Sequence, residues 1–339
     1  MKKKYLRNLI LFMLIILLTF YIILKDQSIS KIIEVLSSID LKYILIAIIY
    51  MLIYLICEAI NIGRTLKVLG EKSTFYRNIK YAMIGFFFSS VTPAASGGQP
   101  MQIYYMNKDK ISVANSTLSL LINLTSMQIV TISIAIISLF FNYEYMNSIL
   151  IGLFVLGIFL NSTALGLLLV SVFSKRMTKG LINIAIKILE FFKIKNIEEK
   201  KNKLENELNK YQSSATYIKS NIKVIIKTLI TTYIQFLIYY SISYWIYRSF
   251  GLKEYNILQI ISMQSVLFAT VSGIPSPGAV GVSEGGFLEI FRNVYSENIL
   301  HEAMLLNRGV NFYLFVIISS IIVMLYTVKD KKEEKLTDK

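Results

Sequence analysis

The sequence predicts an all-α polytopic integral membrane protein with about six full crossings and two opposed re-entrant, broken helical hairpins. That makes eight hydrophobic segments in an inverted-repeat architecture. Three observations carry the prediction. Of 339 residues, 55% are hydrophobic and only 17% charged, too much apolar surface for a soluble domain to bury. The lysines and arginines gather in loops beside apolar runs, where positive-inside placement puts them. All four prolines fall within residues 89–100 and 272–286, two glycine-containing stretches flanked by sequence as apolar as any span. Proline and glycine interrupt helices there. Backbone broken at membrane depth persists only where protein or a watered cavity satisfies its polar groups.

Each element follows in chain order. Lys2, Lys3, Lys4 and Arg7 precede an apolar run over residues 9–24, which Lys25, Asp26 and Gln27 follow in place of a small-residue cleavage site. The expectation is a retained first span with a cytoplasmic amino terminus. Residues 26–41 have mixed charge and amphipathic spacing, and are expected on the outer surface. A second span, residues 41–62, returns to a basic loop holding Arg64, Lys67, Lys72, Arg77 and Lys80. After the first broken stretch, residues 113–141 lead to Asn142, Tyr143, Glu144 and Tyr145, which lack a basic residue and are expected outside. Residues 149–173 then deliver the chain to its longest polar segment.

That segment is cytoplasmic by charge, since residues 175–223 hold twelve Lys or Arg against five Glu. Leu181, Ile184, Ile188 and Phe191 share one helical face within it, as do Leu204, Leu208 and Tyr211. An amphipathic pair resting on the inner leaflet and a docking surface for a soluble partner both fit. Residues 222–250 cross outward, and residues 310–328 form the final span before Lys329, Asp330, Lys331 and Lys332. The whole chain, 1–339, reads as one transmembrane domain, with 174–221 a cytoplasmic amphipathic loop and 329–339 a cytoplasmic tail. Counting crossings makes the first broken stretch begin and end in the cytoplasm and the second begin and end outside. Opposed hairpins of this kind place a site near the bilayer midplane.

Composition also excludes functions. The net charge is +15, but its placement in membrane loops points to anionic lipid and not to nucleic acid. One cysteine, Cys57, and one histidine, His301, support neither a disulfide framework nor a metal centre. No phosphate-binding Lys-Ser/Thr loop, no His-Glu-x-x-His and no Ser-His-Asp set is present. No catalytic residue, metal or cofactor is therefore assigned.

The candidate site residues are the hairpin tips and the polar groups that share their depth. In the first tip, Thr92, Pro93, Ser96, Gly97, Gly98, Gln99, Pro100 and Gln102 provide an anion cradle. Gly97 and Gly98 supply positive φ or close approach, and Pro100 opens the returning helix so that the N–H groups of Gln102 and Ile103 face the midplane. In the second, Pro275, Pro277, Gly278, Gly281 and Glu284 play the same part, with Ser283 capping a helix that begins at Glu284. The same residues also fit a plain tight reversal with close helix packing. Glu58, Asn61 and Arg64 share one face of the second span. An acid at that depth is costly, and either lines the cavity or pairs with Arg64 near the interface. Asn123, Gln128, Gln235 and Gln264 fit interhelical hydrogen bonding, and Arg308 fits an interface anchor.

Thr92-Pro93, then Ser96 through Gln102 and Tyr104-Tyr105, resemble the first signature of the lysylphosphatidylglycerol synthase transmembrane-region family, also called flippase-like. Pro275 through Gly278, with Gly281-Val282 and Glu284-Gly285, resemble its second. The likeness covers about residues 5–330. Gln99 and Gln102 stand where many relatives carry an acid and an arginine. In bifunctional members, an amino-terminal membrane part flips aminoacylated phosphatidylglycerol, and a carboxy-terminal membrane and cytosolic part makes it from aminoacyl-tRNA. The chain ends about eleven residues after its last span, so the soluble acyltransferase domain is expected to be absent.

The resemblance implies a translocator of a phospholipid, aminoacyl-phosphatidylglycerol among the candidates, or of a glycolipid. Its place would be the cytoplasmic membrane of a bacterium, with both termini in the cytoplasm and a separate lipid-modifying enzyme as a candidate partner. Two alternatives stand beside it. One is phosphatidylglycerol lysyltransferase, the family-name activity, which modifies lipid and confers resistance to cationic peptides. The other is a non-transporting lipid-binding partner of a glycosyltransferase.

Overall fold

A computed structural model describes residues 34, 37–142, 148–173, 180, 197–274 and 276–337. The expected first span, most of the surface segment 26–41 and the helical face through Leu181 and Phe191 lie outside the described residues. Among those described, every regular element is helical. In order they are α1 (Leu41–Val68), α2 (Phe75–Ser90), α3 (Gly98–Lys108), α4 (Val113–Asn142), α5 (Ser148–Phe173), α6 (Ile197–Ser220), α7 (Ile222–Ser249), α8 (Ile257–Val271), α9 (Val282–Ile290), α10 (Leu300–Arg308) and α11 (Leu314–Thr337). A five-residue π-helical turn, Gly309–Tyr313, joins α10 to α11. Five stretches are long and apolar enough to cross a membrane: Leu41–Val68, Val113–Phe141, Leu150–Ser171, Ile222–Ser249 and Leu300–Thr327. The chain is a multi-pass membrane protein.

Local sequence sets the helix starts. Asp40 Oδ1 accepts the N–H of Lys42 at 3.1 Å to begin α1. Asn256 accepts those of Leu258 and Gln259 at 3.0 and 3.1 Å, while Gln259 reaches back to the Asn256 N–H at 2.9 Å, a reciprocal cap for α8. The Glu207 carboxylate of α6 accepts the Ala114 N–H at 2.8 Å in the first turn of α4, where an acid also meets the positive helix end. Leu208 and Tyr211 of α6 bury against Ala114, Leu118 and Ile122 of α4, and the Tyr211 hydroxyl donates to Ser171 O at 2.8 Å. The apolar face of α6 therefore rests on its own chain and not on a leaflet.

α1 and α7 form an antiparallel pair. Asp40 N–H donates to Ser249 O at 2.9 Å at one end, and Asn61 Nδ2 donates to Thr232 Oγ1 at 3.0 Å towards the other. Between them Tyr54, Phe236, Tyr239 and Tyr240 pack edge to face or tilted with Phe268 of α8. This antiparallel pair orients both hairpins. α2 follows the carboxyl end of α1 and α8 follows the carboxyl end of α7, so the two hairpins enter the bundle from opposite ends. At about 24 Å for the 16 residues of α2 and about 14 Å for the nine of α9, neither limb spans a ~30 Å hydrocarbon core. Asp109, after α3, holds Lys80 and the Tyr81 hydroxyl in α2, so α3 returns to the end from which α2 set out.

The last helical stretch differs from the sequence expectation. It begins at Leu300, ten residues before position 310, and buries Glu302, Asn307 and Arg308 at 2, 2 and 7% exposure. Arg308 thus lies inside the bundle and is not an interface anchor.

Opposed hairpins make a direct prediction. Cysteines placed at Lys72 and Lys110, in a Cys57→Ala background, should label with a membrane-impermeant thiol reagent from one face of the membrane, and a cysteine at Glu254 from the other. Labelling of all three from the same face would contradict the fold.

Candidate functional site

The two tips meet at the centre of the bundle. Each is a 3-10 turn opened by proline, Pro93–Ala95 and Pro277–Ala279, and each ends on an alanine at φ 54, Ala95 and Ala279. Two residues later a glycine, Gly97 or Gly281, precedes a helix. Left-handed alanine costs roughly 1–2 kcal/mol, so the shared strain marks both turns as held by their surroundings. They touch closely: a Cβ on Gly278, itself at φ +58, would lie 3.0 Å from Ser90 O and 2.2 Å from the Phe312 ring. Gly98 is also a close approach and not a positive-φ site. A Cβ there would lie 2.1 Å from Ser89 Oγ and 3.0 Å from Gly85 O.

The second tip is held from within by a carboxylate and an arginine. Val282, not Glu284, opens α9, so Ser283 is not its cap. Instead the Glu284 carboxylate accepts the Gly281 N–H at 2.6 Å, Arg308 Nε at 2.8 Å and the Tyr313 hydroxyl at 3.1 Å. Arg308 also donates to Gly278 O at 3.0 Å, and its guanidinium lies over the Phe312 ring with 4.2 Å to the centroid. The π-helical turn immediately after Arg308 presents Phe312 and Tyr313 to this cluster. At the end of α8, Asn161 of α5 donates to Ala269 O at 3.2 Å and Ser272 Oγ at 3.1 Å, covering a carbonyl the interrupted helix leaves free.

The first tip is left open. α3 starts at Gly98, two residues before the expected start, so Pro100 occupies its third position, still one without an intrahelical N–H partner. The first-turn N–H groups are therefore those of Gly98 and Gln99, not of Gln102 and Ile103. No acid lies in that first turn. Thr92 Oγ1 accepts the Gly97 N–H at 2.8 Å and donates to Phe88 O at 2.6 Å, which holds the reversal itself.

Two cavities flank the meeting point and share Tyr54, Phe86, Ser89, Ala95, Phe268 and Ser272. One, of about 300 Å³, is lined by Glu58, Gln99, Gln102, Asn123, Gln128 and Thr131 among others. The other, of about 230 Å³, includes Arg308, Asn307, Asn311, Ser276 and Ser283. We call them the acidic and the arginine lobe. Gln102 Nε2 bridges Tyr81 O at 3.0 Å and Glu58 Oε1 at 3.3 Å, through the space that Gly85 leaves by lacking a Cβ. Among the described residues no lysine or arginine pairs with Glu58. Asn123 Oδ1 and Gln128 Oε1 in the acidic lobe, and Ser276 Oγ and Asn311 Oδ1 in the arginine lobe, are buried without a partner among the described residues. Buried polar atoms of this kind require water or a polar ligand.

The sequence candidates thus divide. Glu58, Gln99, Gln102 and Gly278 line the lobes, and Glu284 stands behind Arg308. Pro93, Ser96, Pro100 and Gly281 are exposed, while Thr92 and Gly97 shape the turn. Pro277 opens the second turn, and Pro275 lies outside the described residues. Asn61 and Arg64 line neither lobe. Arg64 donates to Asn61 Oδ1 at 2.7 Å and Thr231 Oγ1 at 2.9 Å, clamping α1 to α7 and leaving Glu58 to the cavity. Of the amides expected between helices, Gln264 alone is so engaged among the described residues, accepting from Ser243 Oγ at 2.8 Å. Gln235 Nε2 has no partner among the described residues. Arg308 is the residue sequence reasoning misplaced; its signal was an arginine directly before the last apolar run, beyond the second Pro/Gly tip.

The sequence model of the lysylphosphatidylglycerol synthase TM region matches residues 8–319. No curated protein matches the chain.

Arg308→Met strands the Glu284 charge, and a broken buried pair costs on the order of 3–5 kcal/mol. Thermal unfolding in detergent should show a large loss for that variant, part of which Glu284→Met restores when the two are combined. Equal or additive losses in the double variant would remove the pair from its central structural role.

Proposed function

The chain belongs to the family of the lysylphosphatidylglycerol synthase TM region, and on that premise we propose that it translocates a lipid with an amine-bearing headgroup across the membrane. An aminoacylated phosphatidylglycerol is the simplest such lipid. One observation carries the reading: the central compartment holds an acidic side chain, Glu58, that no lysine or arginine meets among the described residues. Glu284 already neutralises Arg308, so the arginine lobe offers no free cation. A headgroup ammonium placed against Glu58 would gain a charge-assisted bond. The unpaired amide oxygens of Asn123 and Gln128 are further acceptors for its N–H groups. The headgroup phosphate would then face the open first turn of α3 at Gly98 and Gln99, where helix N-termini favour anions.

The two similar tips support an inverted repeat whose hairpins give alternate access to this compartment from opposite faces. Positive-inside placement would set the lysine-rich base of the first hairpin in the cytoplasm, with both termini there. The residues then have separate duties. Glu58 and Gln102 select the amine, α3 and Gln99 hold the phosphate, and the Arg308–Glu284 pair keeps the second tip folded while the headgroup passes.

Flux of labelled lipids in proteoliposomes tests this. Glu58→Gln removes a charge-assisted contact, so flux of lysyl-phosphatidylglycerol should fall roughly ten- to a hundredfold while phosphatidylglycerol flux changes little. Equal effects on both lipids, or none, would overturn the assignment. Expression in a host without aminoacylated lipids should leave its lipid profile unchanged. A new lysyl-lipid there would establish synthesis in place of transport.

A further inference from the structure

A third cavity, of about 680 Å³, opens at the base of the first hairpin, away from the central lobes. Lys67 of α1, Lys72 of the connecting turn and Arg77 of α2 line it, and all three side chains are exposed. Among the described residues none of the three forms an ion pair. The cavity's one acid, Glu71, is engaged elsewhere. It accepts from Asn115 Nδ2 at 2.7 Å and Ser112 Oγ at 3.0 Å, and meets Lys210 at 3.6 Å. Burial pushes its carboxyl up, but these donors and the Lys210 charge hold it below the ordinary range. It remains ionised and turned to its own partners. The cavity therefore carries three cations against one carboxylate, and that carboxylate already meets Lys210.

What reaches it is decided by the rest of α1. Leu45, Ile49, Leu52 and Ile60 are exposed at 60, 52, 44 and 38%, and at 100° per residue they share one face of the helix. Gly63 and Lys67 continue that same face. The apolar stripe runs roughly 22 Å from Leu45 to Ile60, longer than the ~15 Å depth of one leaflet. It ends at Gly63, which lines the cavity and whose missing Cβ leaves room for the Asn78 side chain. Phe75, 47% exposed, forms part of the far wall. A soluble anion would use the cations alone, whereas a phospholipid would use the cations and the stripe together.

We propose that this cavity is a binding site for the phosphate of an anionic phospholipid whose acyl chains lie along the exposed face of α1. Lys67 and Arg77 face the phosphate from two helices, with Lys72 between them in sequence. The site does not rest on the translocation reading, because it shares no lining residue with either central lobe.

The test uses the full-length protein purified in detergent, titrated with phosphatidylglycerol and with phosphatidylcholine and read by native mass spectrometry. The wild type should prefer phosphatidylglycerol, and Lys67→Gln with Arg77→Gln should cut that preference about thirtyfold, as loss of two interfacial cationic contacts implies. Lys67→Arg with Arg77→Lys should retain most of it, and a monodisperse elution profile establishes folding for each variant. Inorganic phosphate at millimolar concentration should not displace the lipid. A diazirine-bearing phosphatidylglycerol should label wild-type peptides from residues 45–67. An unchanged preference in the glutamine variant, displacement by inorganic phosphate, or absence of label from residues 45–67 would each overturn the proposal.

Discussion

A backbone broken at the middle of an apolar bundle has no water to bond, and the grip of Arg308 on the second tip answers that constraint. One guanidinium takes the Gly278 carbonyl and the Glu284 carboxylate, and that carboxylate in turn takes the Gly281 N–H. Two backbone groups released by interrupting a helix, the Gly278 carbonyl and the Gly281 N–H, are thereby closed into one cluster. Isolated, either charge would be costly at this depth. Paired and hydrogen-bonded, they allow a helix to stop and restart inside the bundle. The π-helical turn after Arg308 and the left-handed Ala279 are the local distortions that bring the partners together.

The first tip has the same backbone plan without the same solution, and the difference carries the functional reading. Both turns run from proline through a left-handed alanine to a glycine before the returning helix. Behind the second stands an arginine with its own carboxylate. Before the first stands a cavity with an unpaired carboxylate, two unpaired amide oxygens and a helix start without an acid. On the function proposed above, the second tip is structural and the first faces the site that receives the headgroup. The Tyr54, Phe86 and Phe268 side chains shared by the two lobes keep them adjacent but distinct.

Much of this was legible in the sequence because the strongest signals are compositional. Apolar runs of membrane length, basic loops and prolines confined to two stretches predict spans and broken hairpins, and the five described spans and both hairpins lie close to where those signals put them. Most of what was not legible shares one cause: a polar side chain buried on a helix reads like one in solvent. Glu302, Asn307 and Arg308 hid the first ten residues of the last helical stretch, and Arg308 passed for an anchor. Arg64 lies one and a half turns from Glu58 on the same helix, but tertiary structure gives it to α7 instead. Asn123 and Gln128 fit interhelical bonding by type, and only the shape of the cavity shows them without partners. Leu208 and Tyr211 gave α6 an apolar face, but their spacing alone did not say whether lipid or α4 covers it.

All of these points depend on the two hairpins meeting tip to tip, and a cross-link across that contact tests it most directly. Ser90 and Ala279 line the same lobe, and Ser90 O lies 3.0 Å from where a Cβ on the neighbouring Gly278 would sit. In a Cys57→Ala chain in native membranes, Ser90→Cys combined with Ala279→Cys should lose both free thiols to a short bifunctional thiol reagent, as an intramolecular link. Each single variant should take up one reagent by one end only, whereas the double variant should take up one reagent with both ends consumed, as its mass shows. If both cysteines of the double variant remain separately labelled after treatment, the tips do not meet and the central compartment does not exist as described.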